Sequence, residues 1–73
     1  MEKTITTKEY AHFIKKLRKA REDVGLKQVG VAKKLKRPQS YISRVESGEY
    51  RVDVSEIKKF AEIYKKDINH FLK

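Results

Sequence analysis

Cysteine is absent from the 73 residues, which excludes a disulfide framework and a thiolate metal cage. A chain this short has material for one domain, spanning residues 1–73, whose core must close by packing, with self-association as the available supplement. Long hydrophobic runs are missing too. The N-terminal MEKTITTKEY lacks the apolar stretch of a secretory signal, and nowhere do about 18 apolar residues stand together as a membrane span requires. A soluble, cytoplasmic protein is expected, and a reducing compartment suits a chain without thiols. Proline and glycine are scarce: Gly25, Gly30, Pro38 and Gly48 are the whole set, so few points break a regular backbone.

Acidic residues are outnumbered, 10 against 19 Lys and Arg, for a formal net charge of +9 and a pI near 9.9. Such a balance favours polyanionic partners, with nucleic acid first among them. Lysines also keep small proteins soluble, so charge needs support from pattern.

Apolar residues recur at spacings of three and four, and no run alternates long enough for a strand. Thr6 and Glu9 have capping-box spacing, with Ile5 and Tyr10 placed as a hydrophobic staple. Helix 1 is expected from about Thr7 to Val24, its inner stripe Tyr10, Phe13, Ile14, Leu17, Ala20, Arg21 and Val24, with Gly25 as the stop. Residues 1–6 are expected to be extended. Helix 2 reads from Gln28 to Leu35 with Val31, Ala32 and Leu35 inward. Lys36 and Arg37 make a turn, Pro38 opens helix 3 at its first position, and Ile42 and Val45 anchor that helix before Gly48. Asp53 and Glu56 repeat the capping box ahead of Val54, Ile57, Phe60, Ala61 and Tyr64. Asp67 caps a last short helix holding Ile68, Phe71 and Leu72. The fold class is all-α with five helices, and two short helices joined by a tight turn over about residues 28–47 form a helix-turn-helix.

From Leu17 onward, the series Leu17, Arg18, Arg21, Gly25, Leu26, Gln28, then Ala32, then Gln39-Ser40-Tyr41-Ile42-Ser43 followed by Arg44, Glu46 and Gly48 resembles the Cro/C1-type (XRE) family of helix-turn-helix repressors. The resemblance covers about three quarters of the chain. It implies a five-helix lambda-repressor-like domain that binds specific double-stranded DNA in the major groove as a transcriptional regulator, with repression the expected mode and a homodimer the expected state. It also implies an ion pair between Arg21 and Glu46. Two positions depart from the family pattern. Lys36 stands where the turn usually carries glycine, which requires either a different turn or a lysine at positive φ. Gly30 stands inside helix 2 where a better helix former is usual.

A recognition helix meets base edges with its N-terminal residues. Gln39, Ser40, Ser43 and Arg44 share the face opposite Ile42 and Val45 and are the candidate base readers, since Gln suits adenine, Arg guanine, and Ser either. Gln28 is a candidate phosphate contact by resemblance, and Lys27, Arg37, Tyr41 and Arg51 are further candidates near the same surface. Residues 27–51 hold seven basic and two acidic side chains, a net charge of +5 in about a third of the chain.

No enzyme parts are recognisable. His12 and His70 are far apart with no cysteine and no fitting carboxylate spacing, so neither a catalytic residue nor a metal site is expected, and no cofactor. A protein-binding antitoxin or adaptor on the same scaffold is the alternative, though it has no need of Gln28, Gln39, Ser43 and Arg44 beside a basic rim. A basic amphipathic membrane helix is a third reading, weakened because other helices are present to cover the core stripe of helix 1. Ile68, Phe71 and Leu72 offer apolar surface for either the core or a dimer contact.

Overall fold

The computed structural model describes residues 7–72, with the backbone alone for Thr7 and Leu72. The described residues form five helices, α1 (Thr7–Asp23), α2 (Gln28–Leu35), α3 (Gln39–Glu46), α4 (Val54–Tyr64) and α5 (Ile68–Leu72), and no strand. The expected extended segment 1–6, the Thr6 cap, the Ile5 staple and the Leu72 side chain lie outside this description.

Every helix contributes to one buried cluster. Phe13, Leu17 and Ala20 come from α1, Val31 and Ala32 from α2, Ile42 and Val45 from α3, Ile57, Phe60, Ala61 and Tyr64 from α4, and Phe71 from α5. The larger of these side chains each stabilise the fold by about 1.5–3 kcal/mol through removal from water. Tyr10, Ile14, Val24 and Leu35 are half-buried around this cluster rather than within it. Phe71 is committed to the core, so of the three apolar residues expected on the last helix it is not available to a partner. Helix α2 packs on α3, and Ala32 of α2 is buried.

Four helices end by the same device. In each, one residue turns into the left-handed region and the next amide bonds a carbonyl five residues back, the arrangement that satisfies otherwise orphaned carbonyls. Gly25 (φ 74°) and Gly48 (φ 87°) do this after α1 and α3, with Leu26 N–H on the Arg21 carbonyl at 3.2 Å and Glu49 N–H on the Arg44 carbonyl at 2.9 Å. Helix 1 therefore stops at Asp23, one residue short of the expected Val24. Lys36 and Lys65 take the same role after α2 and α4, both at φ 58°. The turn keeps its left-handed geometry with lysine in the place of glycine.

Pro38 precedes α3 instead of opening it. Its φ of −65° and ψ of 153° make it the N-cap, and Gln39 is the first helical residue. Asp53 caps α4, accepting from Glu56 N–H at 2.9 Å and from the Ser55 hydroxyl at 2.9 Å. Those hydrogen bonds, the backbone one first, hold its carboxyl below the ordinary carboxylate range. Asp67 likewise accepts from Asn69 N–H at 2.9 Å at the start of α5.

Because L-residues pay about 1 kcal/mol or more at positive φ, Lys36→Gly and Lys65→Gly should each raise stability by about 1 kcal/mol in chemical denaturation. Gly30→Ala should add a further ~0.5–1 kcal/mol, since a Cβ there would meet only the flexible Leu26 side chain, at 3.4 Å. For Asp53 the sign follows from its lowered pKa: its contribution is complete above the ordinary carboxylate range and disappears as pH falls through the folded value. Asp53→Ala should thus lower the melting midpoint at neutral pH, and the deficit should shrink as the melts are repeated below about pH 4.

Candidate nucleic-acid interface

Alternation of burial along α3 divides it into two faces. Ile42 and Val45 are wholly buried, while Gln39, Ser40, Ser43 and Arg44 are exposed. No side chain caps the N-terminus of either α2 or α3. In α3 the Tyr41 N–H donates to the Pro38 carbonyl at 3.0 Å, and the amides ahead of it have no side-chain cap and carry the partial positive charge of a helix start.

One polar chain links the first turn of α3 to the rest of the domain. Glu46 is a buried carboxylate, and Arg21 approaches it with both edge nitrogens, Nε to Oε2 at 2.7 Å and Nη2 to Oε1 at 3.1 Å. Arg21 Nη1 donates to the Leu26 carbonyl at 2.9 Å, so the same guanidinium holds the α1–α2 link. Side-chain exposures of 13% and 4% place this pair among the interior ones. Its hydrogen bond to Glu46 is the main reason the Arg21 pKa is raised further. Gln28 Nε2 donates to Glu46 Oε1 at 3.0 Å, and Gln39 Nε2 donates to Gln28 Oε1 at 3.4 Å. A carboxylate only accepts, so it dictates the orientation of each amide in turn. Gln39, itself exposed, retains its carbonyl oxygen and a second N–H, one acceptor and one donor on the same amide. Beneath this chain Tyr64 buries its hydroxyl with no partner among the described residues, and burial, then Glu46, push its pKa well above the ordinary phenol value.

Beside the first turn of α3 lies a groove of about 210 Å³ lined by Arg37, Pro38, Ser40, Tyr41, Arg44 and Tyr50. Arg37 stacks on the Tyr41 ring at 4.6 Å and pairs with Glu56 at 3.1 Å. The Tyr41 hydroxyl donates to Glu56 at 2.7 Å, and burial together with that bond pushes its pKa up to about 12. It therefore stays a protonated donor bound to Glu56, and Tyr41 offers the groove its ring. Arg44 Nη1 donates to the Tyr50 hydroxyl at 3.1 Å, with Glu49 3.7 Å from its Nε. Arg51 stacks on Tyr10 at 4.5 Å, outside the groove.

The helix-turn-helix domain family, compared with the chain by its sequence profile, matches residues 10–68. The chain belongs to that family. Its helix-turn-helix is α2, the Lys36-Arg37-Pro38 turn and α3, and the family is a DNA-binding kind of domain. No curated protein and no solved structure matches the chain significantly.

The helix-turn-helix thus gathers most of the candidate residues on one side: Gln28 is bonded to Gln39, and Arg37, Ser40, Tyr41 and Arg44 share the groove. Ser43 is exposed on the same helix, Lys27 is the exposed N-cap residue of α2, and Arg51 lies in the loop before α4. Sequence reasoning missed Tyr50, Glu49 and the second role of Glu56. The only signal for Tyr50 is an aromatic residue two positions past the Gly48 stop within a basic stretch. His12 and His70 are both exposed. Among the described residues no cluster of His, Cys, Asp or Glu could hold a metal ion, and no helix is long and apolar enough to cross a membrane.

Stranding Arg21 by Glu46→Ala should cost about 3–5 kcal/mol, most of the stability of a domain this size. In urea melts the Arg21→Ala/Glu46→Ala double variant should lose clearly less than the sum of the two single variants. Strict additivity would show that the pair is energetically irrelevant.

Proposed function

We propose that the chain is a Cro/C1-type (XRE) transcriptional regulator that binds a specific double-stranded DNA site by laying α3 in the major groove, with repression as its mode of action. The observation that carries this is the division of α3: Gln39, Ser40, Ser43 and Arg44 face outward from a helix pinned by Ile42 and Val45 within a helix-turn-helix. Gln39, Ser40, Ser43 and Arg44 read base edges in this account. Gln28, Lys27, Arg37 and Arg51 contact phosphates; Tyr41, expected to do the same, has its hydroxyl tied to Glu56 and serves instead by holding Arg37 against its ring. The Arg21–Glu46 pair is structural.

Strength of interaction supports these roles. Exposed pairs such as Arg44–Glu49, with side-chain exposures of 54% and 66%, are worth about 1 kcal/mol or less, so a nucleic acid displaces them readily. Uncapped helix N-termini at α2 and α3 supply amide donors that suit phosphate oxygens. The net charge of +5 over residues 27–51 draws the polyanion to this side. Residues 1–73 form one such domain, cytoplasmic, acting as a homodimer on half-sites about one helical turn of DNA apart.

Selection from a random duplex DNA pool tests the reading directly. A motif should emerge, and Gln39→Ala and Arg44→Ala should each relax preference at one position by about 1–3 kcal/mol. Lys27→Ala should weaken binding to all sequences alike and reduce the salt slope by about one. A pool that yields no motif overturns specific recognition, and a monomer on selected DNA by sedimentation overturns the dimer.

A further inference from the structure

We propose that Tyr50 is a positioning residue for Arg44, fixing the guanidinium edge that reads a guanine; the inference rests on the DNA-binding reading above. Arg44 is the only charged side chain among the four outward residues of α3, and an unbraced arginine would spread over many rotamers. Tyr50 removes that freedom because its own place is set from several directions. Its backbone N–H donates to the Arg44 carbonyl at 3.2 Å, and its carbonyl accepts from the Tyr10 hydroxyl at 2.9 Å. The Tyr50 ring lies 5.9 Å from that of Tyr41, whose hydroxyl is tied to Glu56.

The Tyr50 phenol oxygen is therefore a fixed acceptor beside the recognition helix, although the residue is 42% exposed. It takes Arg44 Nη1 at 3.1 Å, and the guanidinium carbon stands 5.6 Å from the ring centre. With Nη1 held, the Nε and Nη2 hydrogens form the remaining fork, the same edge that Arg21 presents to Glu46 within the core. Glu49 faces the Nε of this fork loosely, at 3.7 Å. Guanine, with its O6 and N7 acceptors, replaces Glu49 on the fork while Tyr50 keeps its hold.

The test is selection from a random duplex DNA pool with wild type, Arg44→Ala, Tyr50→Phe, Glu49→Gln and the Tyr50→Phe/Arg44→Ala double variant, with a thermal melt of each. Arg44→Ala identifies the base position concerned. Tyr50→Phe keeps the ring and the backbone bonds, so it should melt like wild type yet lose about three- to tenfold of the guanine preference at that position alone. It should change nothing further in the Arg44→Ala background, and Glu49→Gln should keep the preference. An unchanged preference in Tyr50→Phe, an equal loss at every position, or a loss that persists without Arg44 overturns the proposal. A wild-type pool with no motif instead overturns the DNA reading itself, and this inference with it.

Discussion

Glu46 brings a full negative charge into the interior at the end of α3, and a buried charge left alone would cost several kcal/mol. Arg21 compensates it from α1 through two donors, Gln28 adds a third from the first turn of α2, and the remaining arginine nitrogen holds the Leu26 carbonyl. Three helices and the link between two of them thus converge on one carboxylate. That convergence ties the end of α3 to α1 and α2, and Gln39 is the last member of the same hydrogen-bonded chain.

Interactions grow weaker from this point outward. The Arg21–Glu46 pair is dry and bidentate, the Arg37–Tyr41–Glu56 group is half-buried, and the contacts of Arg44 and Arg51 with Tyr50 and Tyr10 lie at the surface. On the proposed DNA-binding reading, this gradient leaves the scaffold rigid while the outermost cations can exchange an internal partner for an external one. Solvent screening makes that exchange inexpensive, because exposed pairs are worth about 1 kcal/mol or less. Tyr41 and Tyr50 lie against the guanidinium groups of Arg37 and Arg44 at 4.6 and 5.6 Å.

Legibility differs from one element to the next for physical reasons. Helix periodicity placed α1 through α4 closely, because apolar spacing reports directly which face is buried. Helix ends were readable where the left-handed residue is glycine, at Gly25 and Gly48, and silent at Lys65, since a lysine carries no sign that its φ is positive. For Lys36, at φ 58°, the only sign in the sequence is its departure from the family pattern, where glycine is usual. Pro38 caps α3 instead of opening it, a distinction the sequence does not carry, because a fixed φ of −65° suits both the cap and the first helical residue, and ψ decides between them. The groove gave no such warning: Tyr50 reaches Arg44 through a loop, and side-chain proximity across a loop has no periodic trace in sequence.

What the amino-acid order determined alone was the all-helical class, the division of α3 into an inward and an outward face, and the concentration of positive charge around it, because these follow from local spacing and composition. Tertiary structure decided which polar groups meet, and of these pairs only Arg21–Glu46 is implied by the family resemblance. Arg21 and Glu46 are 25 positions apart, Gln28 and Gln39 are 11 apart, and Tyr41 and Glu56 are 15 apart. Such pairs form only when helices from different parts of the chain pack at particular angles, and those angles are set by the whole core at once and not by any one segment.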